Sequence, residues 1–330
     1  MRSPRRTAAL AAAIAVSLSL AACTSTGTSA EPSAEDSATI KVGTLRGQPH
    51  FYAPYLYEEH GEEGLDVEVV ALETAPALND ALASGSIDFA VGSVTTTIAG
   101  AAAGRDVKIL AGAADGGSGI IGAAGIDSVQ DLVGKKVGYL ESSAQLVALR
   151  LILEREGVDI DDLDLVSLSP PEFFNAFSTG QVDAFAAPEI GVSLALGAGG
   201  KTIADPYSTE IGRLNIALLA TGDTVEKDPE LVQQVVDAHA ATTAYMVEHQ
   251  EEWLAEMIEG YGGDEDVLAR AMDNFWLRAD LSPTFEKQVT SLATQMARLG
   301  MIDAAPSTAD LLDTSFASRA EPADPTPAGS

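Results

Sequence analysis

The chain has 330 residues, of which 46% are hydrophobic and 21% charged, enough for two packed cores. Its 49 acidic residues outnumber 19 basic ones and give a formal charge of −30, which argues against nucleic acid as a partner. A single cysteine excludes an intramolecular disulfide framework.

The N-terminus has the features of an export signal. Basic residues that include the pair Arg5-Arg6 precede the apolar run 8–20, which is too short to cross a bilayer. The run leads into Leu-Ala-Ala-Cys at Cys23, which resembles the lipobox of bacterial lipoproteins, where the cysteine receives fatty acyl chains such as palmitate. We predict a signal peptide over residues 1–22 and lipidation of Cys23. Export by the general or the twin-arginine route stays open.

The segments beside the folded body differ from it in composition. Residues 23–38 are rich in Ser, Thr, Ala and Glu and lack apolar periodicity, which predicts a flexible tether. Residues 319–330 have a similar composition and are predicted to form a disordered tail.

Strand and helix patterns alternate along the body. Strands are predicted at 39–45, 65–72, 87–91, 107–111, 136–139, 163–168 and 214–221. Helices are predicted at 51–60, 76–83, 93–103, 129–133, 143–157, 229–259, 264–278 and 283–299. This alternation predicts an α/β fold with mostly parallel sheets, covered by helices and binding ligands at the carboxyl ends of the strands.

One pattern occurs twice, at residues 81–90 and 176–185, with Gly85 and Gly180 at equivalent places. In each copy an apolar helix ends at the glycine, where a left-handed residue closes a helix, and a short strand follows. The repeat predicts two similar lobes with a small-molecule crevice between them. The aspartates of the repeats, Asp88 and Asp183, are interpreted as turn or cap residues.

The chain is predicted to cross between the two lobes twice. Lobe 1 is assigned residues 39–126, lobe 2 residues 127–205, and the return to lobe 1 with the C-terminal helices residues 206–318. A double crossing predicts a hinge. The Gly-Gly-Ser-Gly stretch at 116–119 lacks the lysine of a phosphate loop and is interpreted as a flexible crossing near that hinge.

Four motifs carry a resemblance to a known family. They are Gly-Glu-Glu-Gly-Leu-Asp-Val-Glu-Val-Val from Gly61, Gly-Ser-Ile-Asp-Phe-Ala-Val-Gly-Ser from Gly85, Asp-Leu-Val-Gly-Lys-Lys-Val-Gly from Asp131 and Gly-Gln-Val-Asp-Ala-Phe from Gly180. In order and spacing they resemble the sulfonate, nitrate and thiamine-precursor branch of ABC-transporter substrate-binding proteins, over about residues 39–300. The resemblance implies a two-lobe type II periplasmic-binding fold that closes on a solute for a membrane permease with a separate ATPase.

Two departures from that branch fall in predicted cleft loops. The sequence after the second repeat is Ala-Ala-Pro-Glu-Ile at 186–190, where the branch often has an aromatic before an acidic residue and a proline. Glu141-Ser142-Ser143 stands where the branch often has Gly-Ser-Ser. The ligand class of any relative is therefore not carried over.

Candidate ligand-binding residues follow the predicted strands or begin the helices after them. The candidates are Gln48, His50, Phe51, Thr74, Ser93, Val94, Thr95, Glu141, Ser142, Ser143 and Glu189, with Arg46 as an anion candidate. Unpaired N–H groups at helix starts favour an anion or a polar oxygen, although the same hydroxyls can simply cap their helices. The resemblance places the loop of Gln48, His50 and Phe51 in the cleft.

The charge of the solute stays open at this point. Arg46 could pair with an anionic head group, whereas Glu141 and Glu189 would favour an amine, an amidine-like ring or a hydroxyl-rich ligand. His50 could hydrogen-bond a ligand or lie at the surface, and Phe51 could stack on a ring.

Signals of catalysis are weak. The four histidines lack metal-ligand spacing and no Gly-x-Ser-x-Gly elbow occurs, so we predict neither a metal, a cofactor nor an enzyme. The prediction is a monomeric, lipid-anchored receptor on the extracytoplasmic face of a bacterial membrane that binds a small polar solute for an ABC importer. Two alternatives are an enzyme on the same fold, such as a pyrimidine synthase or a menaquinone-pathway lyase, and a sensory lipoprotein that feeds no transporter.

Overall fold

The computed structural model describes residues 39–61 and 64–316. The predictions for the signal peptide, Cys23, the tether and the tail lie outside these residues. No helix in the described ranges is long and apolar enough to cross a bilayer. The strands are β1 Ile40–Leu45, β2 Val67–Leu72, β3 Phe89–Ser93, β4 Lys108–Gly116, β5 Ser118–Gly122, β6 Lys136–Tyr139, β7 Asp164–Ser167, β8 Ala184–Pro188, β9 Lys201–Ala204, β10 Leu214–Ala220 and β11 Phe275–Leu277.

Helices cover these strands. The α-helices are α1 Tyr57–His60, α2 Ala75–Ala83, α3 Val94–Ala102, α4 Ala144–Glu156, α5 Phe173–Ser178, α6 Gly191–Gly197, α7 Gly222–Lys227, α8 Pro229–Glu248, α9 Gln250–Tyr261, α10 Glu265–Met272, α11 Pro283–Arg298 and α12 Thr308–Leu311. Short 3-10 helices occupy Pro49–Phe51, Ala53–Leu56, Val129–Leu132, Ile160–Asp162, Pro170–Glu172 and Thr314–Phe316.

The strands form two sheets, one in each lobe. The first has the order β11-β4-β10-β3-β1-β2 and the second the order β7-β6-β8-β5-β9. In the first sheet β1 to β4 share one direction, and in the second only β5 is reversed. The reversed strands β5 and β10 are the first strands after the two crossings, and β11 at the edge of the first sheet is reversed as well. The α/β fold with two lobes is confirmed. Most strands of each sheet share one direction, but five of the nine pairings between the described strands are antiparallel.

The outgoing crossing lies earlier than the assigned end of lobe 1. β5 pairs with β8 and β9 in the second sheet, so the chain changes sheet at Gly117 and not near residue 126. No strand is predicted from the sequence over β5, and the pairing that places it in the second sheet joins residues far apart in the sequence. Gly116 and Gly117 have φ of 81° and 65°, a left-handed conformation that glycine adopts without steric cost.

The repeated pattern fixes equivalent strand pairings in the two sheets. Both repeat glycines have φ of 71°, as predicted. The Asp88 carboxylate accepts a hydrogen bond from the backbone N–H of Lys41 at 2.8 Å, at the start of β1. The Asp183 carboxylate does the same for Lys136 at 2.9 Å, at the start of β6. These aspartates hold neighbouring strands in register, which agrees with a structural role.

The C-terminal part differs from the predicted run of long helices. The range 229–259 is divided between α8 and α9 at His249, whose φ of −124° and ψ of 52° lie outside the helical region. In the range 264–278 the helix α10 ends at Met272, and the remaining residues include the strand β11, which pairs with β4 at the edge of the first sheet. The three apolar residues of β11 fit a helical period equally well, so only the long-range pairing identifies them as a strand.

Candidate functional site

A cleft of about 430 Å³ is lined by residues from both sheets. Its walls are the carboxyl ends of β1, β2, β3, β6, β7 and β8 with the segments that follow the first five of them, and two residues near the start of β10. The lining residues are Leu45, Gln48, His50, Phe51, Glu73, Thr74, Ala75, Pro76, Ser93, Thr96, Leu140, Glu141, Ser142, Ser143, Gln145, Ser167, Leu168, Ser169, Pro170, Glu172, Pro188, Asn215 and Ile216.

Three helices, α2, α3 and α4, begin at the cleft. Thr74 caps α2 by accepting a hydrogen bond from Ala77 N–H at 3.3 Å, and Ser143 caps α4 by accepting one from Leu146 N–H at 3.1 Å. Ser93, at the start of α3, makes no side-chain cap. Unpaired N–H groups in the first turns, together with the helix dipoles, make the cleft favourable for negatively polarised oxygens.

Ser142 adopts a backbone conformation that serine rarely takes. Its φ of 54° is the only left-handed value at a non-glycine residue in the described ranges. This conformation turns the chain from β6 into α4, which brings Ser142 and Ser143 to the cleft. The Ser143 hydroxyl is occupied by capping and by donation to Leu140 O at 2.7 Å, whereas the Ser142 hydroxyl bonds no described residue.

His50 lies at the base of the cleft and is only 3% exposed. Its ring lies 4.8 Å from the Phe51 ring and 5.6 Å from the Phe275 ring, measured between centroids. Gly117 lies against the ring, since a Cβ at that position would come within 3.2 Å of His50 Cε1. Both ring nitrogens lack a hydrogen-bond partner, and burial lowers the pKa of His50 to about 3, so the imidazole is neutral.

Four of the predicted candidates do not line the cleft. Val94 and Thr95 are fully buried inside the first turn of α3, behind Ser93. Arg46 is exposed and forms an ion pair with Glu73 at 2.8 Å. Glu189 is 2% exposed and lies in the contact between the lobes. A position after a strand predicts the right edge of the sheet, but the side-chain direction alternates and is not visible in the sequence.

Glu189 joins the lobes instead of lining the cleft. Its Oε1 accepts a hydrogen bond from Asn274 Nδ2 at 2.7 Å, and its Oε2 accepts one from Ser193 N–H at 3.1 Å. Burial raises the pKa of the Glu189 carboxyl, although both hydrogen bonds oppose the rise.

The charges at the cleft are all negative. Lining residues include Glu73, Glu141 and Glu172, and no lysine or arginine belongs to this lining set of described residues. Glu73 is paired with Arg46. Glu172 accepts hydrogen bonds from the Ser169 hydroxyl at 2.6 Å and N–H at 2.7 Å, which lower its pKa. Glu141 is exposed and has no partner among the described residues.

Several lining residues were not predicted, and some had a usable signal. Ser167 ends β7 and Ser169 lies two residues beyond it. Both satisfy the strand-end rule used for the other candidates, by which residues at or just after the carboxyl end of a strand are expected at the cleft. Gln145 is the second residue of α4, two positions after the predicted capping residue Ser143. Asn215 lies near the start of β10, and only the reversed direction of that strand brings it to the cleft. No group of three or more His, Cys, Asp or Glu side chains within the described ranges could hold a metal ion.

Comparisons with known proteins agree with this architecture. A protein of Bacillus subtilis (strain 168), provisionally named as an aliphatic sulfonates-binding protein, is 26% identical over 269 residues, 78% of this chain and 80% of the relative. The crystal structure of the periplasmic aliphatic sulphonate binding protein SsuA from Escherichia coli matches with a TM-score of 0.71 and 20% identity, over 86% of this chain and 94% of that chain. The periplasmic nitrate-binding protein NrtA from Synechocystis PCC 6803 matches with a TM-score of 0.68 and 16% identity, over 84% and 86%.

The family model for NMT1/THI5-like proteins matches residues 50–253, which include most of the cleft and the outgoing and return crossings. This match spans more than half of the chain, and the protein therefore belongs to the NMT1/THI5-like family.

Proposed function

We propose that this protein is the solute-binding component of an ABC importer and captures a small polar organic solute between its two lobes. The observation that carries the proposal is the cleft, in which helix starts and free hydroxyls of both lobes face one volume. A solute that contacts both walls favours the closed form, because those contacts exist together only on closure. The permease with its ATPase would then receive the closed, loaded form.

The cellular location and the oligomeric state of the protein follow from the same proposal. A lipid anchor on Cys23 would hold a monomeric receptor at the extracytoplasmic face of the membrane. The names of the relatives, which refer to the binding of sulfonates and of nitrate, support a binding role.

The residues that line the cleft limit the charge of the solute and the hydrogen-bonding groups that it can carry. Hydroxyl, amide and backbone N–H groups are its hydrogen-bond donors, since it contains no lysine or arginine among the described lining residues. A group with one delocalised negative charge, or a neutral polar group, suits such donors better than a dianion does, because a dianion needs cationic partners. The unpaired Glu141 favours a positively charged or hydrogen-bond-donating group elsewhere on the same solute.

A thermal-shift screen of the purified protein tests the function. The solutes are alkanesulfonates, taurine, nitrate, thiamine pyrimidines, riboflavin and polyamines. We expect at least one solute to raise the melting temperature by a few degrees, because a ligand at about 100 times its Kd stabilises the folded state by about 2.7 kcal/mol. The absence of any shift across the screen would contradict the proposed solute class.

The enzyme alternative on this fold is tested with the same samples. A solute that binds is incubated with the protein, released by denaturation and compared by mass spectrometry with untreated solute. A binding protein returns the solute unchanged, whereas a new product would favour catalysis.

Replacing Glu141 with glutamine should distinguish solutes by charge. We expect Glu141→Gln to weaken binding of an amino-bearing solute such as taurine by about twofold to fivefold. This loss of affinity corresponds to the free energy of one exposed ion pair. Binding of the amino-free counterpart, ethanesulfonate, should not weaken, because the removed carboxylate has nothing to attract there. Isothermal titration calorimetry of both solutes measures the difference.

Glu73→Gln is the matched control, because Glu73 also lines the cleft but is already paired with Arg46. Equal losses for Glu73→Gln and Glu141→Gln, or equal losses for the two solutes, would contradict a role of Glu141 in solute selection.

A further inference from the structure

A network of hydrogen bonds joins the two crossings of the chain. Tyr207 lies in the return crossing between β9 and β10. Its hydroxyl accepts a hydrogen bond at 2.9 Å from the N–H of Ser118, the first residue after the outgoing crossing. The same hydroxyl lies 2.8 Å from Asn274 Oδ1, to which it can donate. Asn274 Nδ2 donates to Ser118 O at 3.0 Å and to Glu189 Oε1 at 2.7 Å. These four residues are called the hinge cluster below.

The hinge cluster spans both lobes. Asn274 precedes β11 of the first sheet, whereas Glu189 follows β8 of the second sheet. Glu189 N–H also donates to Gly117 O at 2.9 Å, at the point where the chain changes sheet. A change in the angle between the lobes therefore has to alter the geometry of this cluster.

Gln145 connects the cleft to the hinge cluster. It lines the cleft, is 3% exposed, and donates from Nε2 to Ser118 Oγ at 2.7 Å. Its Oε1 accepts no hydrogen bond from a described residue and is not among the buried unpartnered atoms. One end of the Gln145 amide is thus bound to Ser118, while Oε1 at the other end bonds no described residue.

We infer that Gln145 is the positioning residue that couples occupancy of the cleft to the crossings between the lobes. A solute donor that binds Oε1 holds the amide in one orientation and strengthens the Nε2 hydrogen bond to Ser118, because linked hydrogen bonds polarise one another. The ordered Ser118 in turn holds the contacts to Tyr207 and Asn274 that set the lobe angle. This inference rests on the proposed function, since it needs a solute in the cleft.

Trp276 provides a local reporter of this coupling. Its ring lies edge-on to the Tyr207 ring, 5.7 Å between centroids, and 4.0 Å below the Arg213 guanidinium. The sequence contains two tryptophans, so Trp253→Phe leaves Trp276 as the only indole. Its emission then reports the return crossing without an added label.

The test compares two cleft glutamines in the Trp253→Phe background. Gln145→Leu removes the hydrogen bond to Ser118 at similar side-chain volume. Gln48→Leu is the matched control, because Gln48 is also buried and lines the cleft, and its side chain bonds no described residue. We expect Gln145→Leu to lower the closed-to-open ratio of the loaded protein about fivefold, the effect of one hydrogen bond, and so to reduce the Trp276 response at saturating solute. Gln48→Leu should raise Kd only and keep the full amplitude.

A second variant tests whether the effect comes from the hydrogen bond itself and not from misfolding of one variant. A measurement without ligand tests it without depending on the choice of solute. Ser118→Ala removes the same hydrogen bond from the other side, so it should reproduce the effect of Gln145→Leu, and the double variant should lose little more. Without solute, amide hydrogen exchange around Ser118 and Tyr207 should be faster in Gln145→Leu than in Gln48→Leu.

The outcomes separate the inference from the proposed function. Full Trp276 amplitude in Gln145→Leu, additive effects in the double variant, or equal ligand-free exchange in the two glutamine variants would each overturn the role of Gln145. A screen in which no solute binds would contradict the proposed function alone, while ligand-free exchange would still decide whether Gln145 orders the crossings.

Discussion

Replacing Arg278 with methionine should lower the free energy of unfolding by about 3 to 5 kcal/mol, the cost of removing one partner from a buried ion pair. Arg278 Nη1 contacts Asp115 Oδ2 at 2.6 Å, and both side chains are only 7% exposed. Methionine keeps much of the apolar stem that packs against Gly112, and it loses the guanidinium that lies 4.7 Å from the centre of the Phe285 ring. The loss therefore reports chiefly on the charge that Asp115 is left to carry alone.

The surroundings of Asp115 make that loss large. Its Oδ1 has no hydrogen-bond partner, and burial raises the pKa of the carboxyl although Arg278 opposes the rise. Asp280 holds the guanidinium from the other side through two contacts of 2.8 Å, so the arginine bridges two carboxylates. Asp115 directly precedes the glycines of the outgoing crossing, and the ion pair thus also stabilises the end of β4.

Equilibrium urea unfolding followed by circular dichroism measures the change. Asp115→Asn is the matched control, because it leaves Arg278 paired with Asp280 and buries no unpaired charge. We expect the double variant Arg278→Met, Asp115→Asn to recover part of the stability lost in Arg278→Met. A loss below about 1 kcal/mol in Arg278→Met, or no recovery in the double variant, would show that this ion pair is not the dominant interaction.

The sequence predicted most of the fold because its patterns are local. Alternating apolar residues fixed most strands to within two residues, and the glycine at the end of each repeated helix marked the step into the next strand. Pairing is not local, so the residues of β5 are assigned to lobe 1 without a predicted strand there, and a helix is predicted over β11. Both errors concern short apolar runs whose neighbours in the sheet lie far away in the sequence.

The sequence predicted where the candidate site lies better than it predicted which side chains line the cleft and which contact one another. The strand-end rule gave Gln48, Thr74, Ser93 and Ser142, all of which line the cleft. It also gave Glu189, because a residue directly after a strand has the right place along the chain but an unknown side-chain direction. Asn274, which binds Glu189, lies 85 residues further on, and no local pattern connects the two.

The stability of the protein should fall as the pH is lowered from about 6.5 toward 4, because two buried histidines resist protonation. Burial lowers the pKa of His50 to about 3 and of His239 to about 4, against an ordinary value of 6.5. Burial keeps His239 neutral, although the hydrogen bond between its Nε2 and Gly112 O, 2.9 Å long, opposes the fall in pKa; its Nδ1 lies 2.8 Å from Tyr57 Oη. In this range the unfolded chain takes up protons that the folded chain does not, so acid favours unfolding.

Each histidine should contribute a slope of up to about 1.4 kcal/mol per pH unit. The carboxyls of Asp115 and Glu189 have raised pKa values and contribute with the opposite sign, which makes the slope of a single-histidine variant more informative than the total. Carboxyls with lowered pKa, such as that of Asp280, lose their contribution only near and below their ordinary values around 4, at the acid end of the range.

Urea unfolding at pH 7.5, 6.5, 5.5 and 4.5 should therefore show a smaller slope for His239→Gln than for the unchanged protein, even if the variant is less stable at every pH. His50→Gln should reduce the slope by a similar amount, while His249→Gln, at a side chain 46% exposed, serves as the control. If all three variants keep the slope of the unchanged protein, the buried imidazoles are not the source of its acid sensitivity. A reduced slope in His50→Gln alone would instead assign acid sensitivity chiefly to the base of the cleft, beside the outgoing crossing at Gly117.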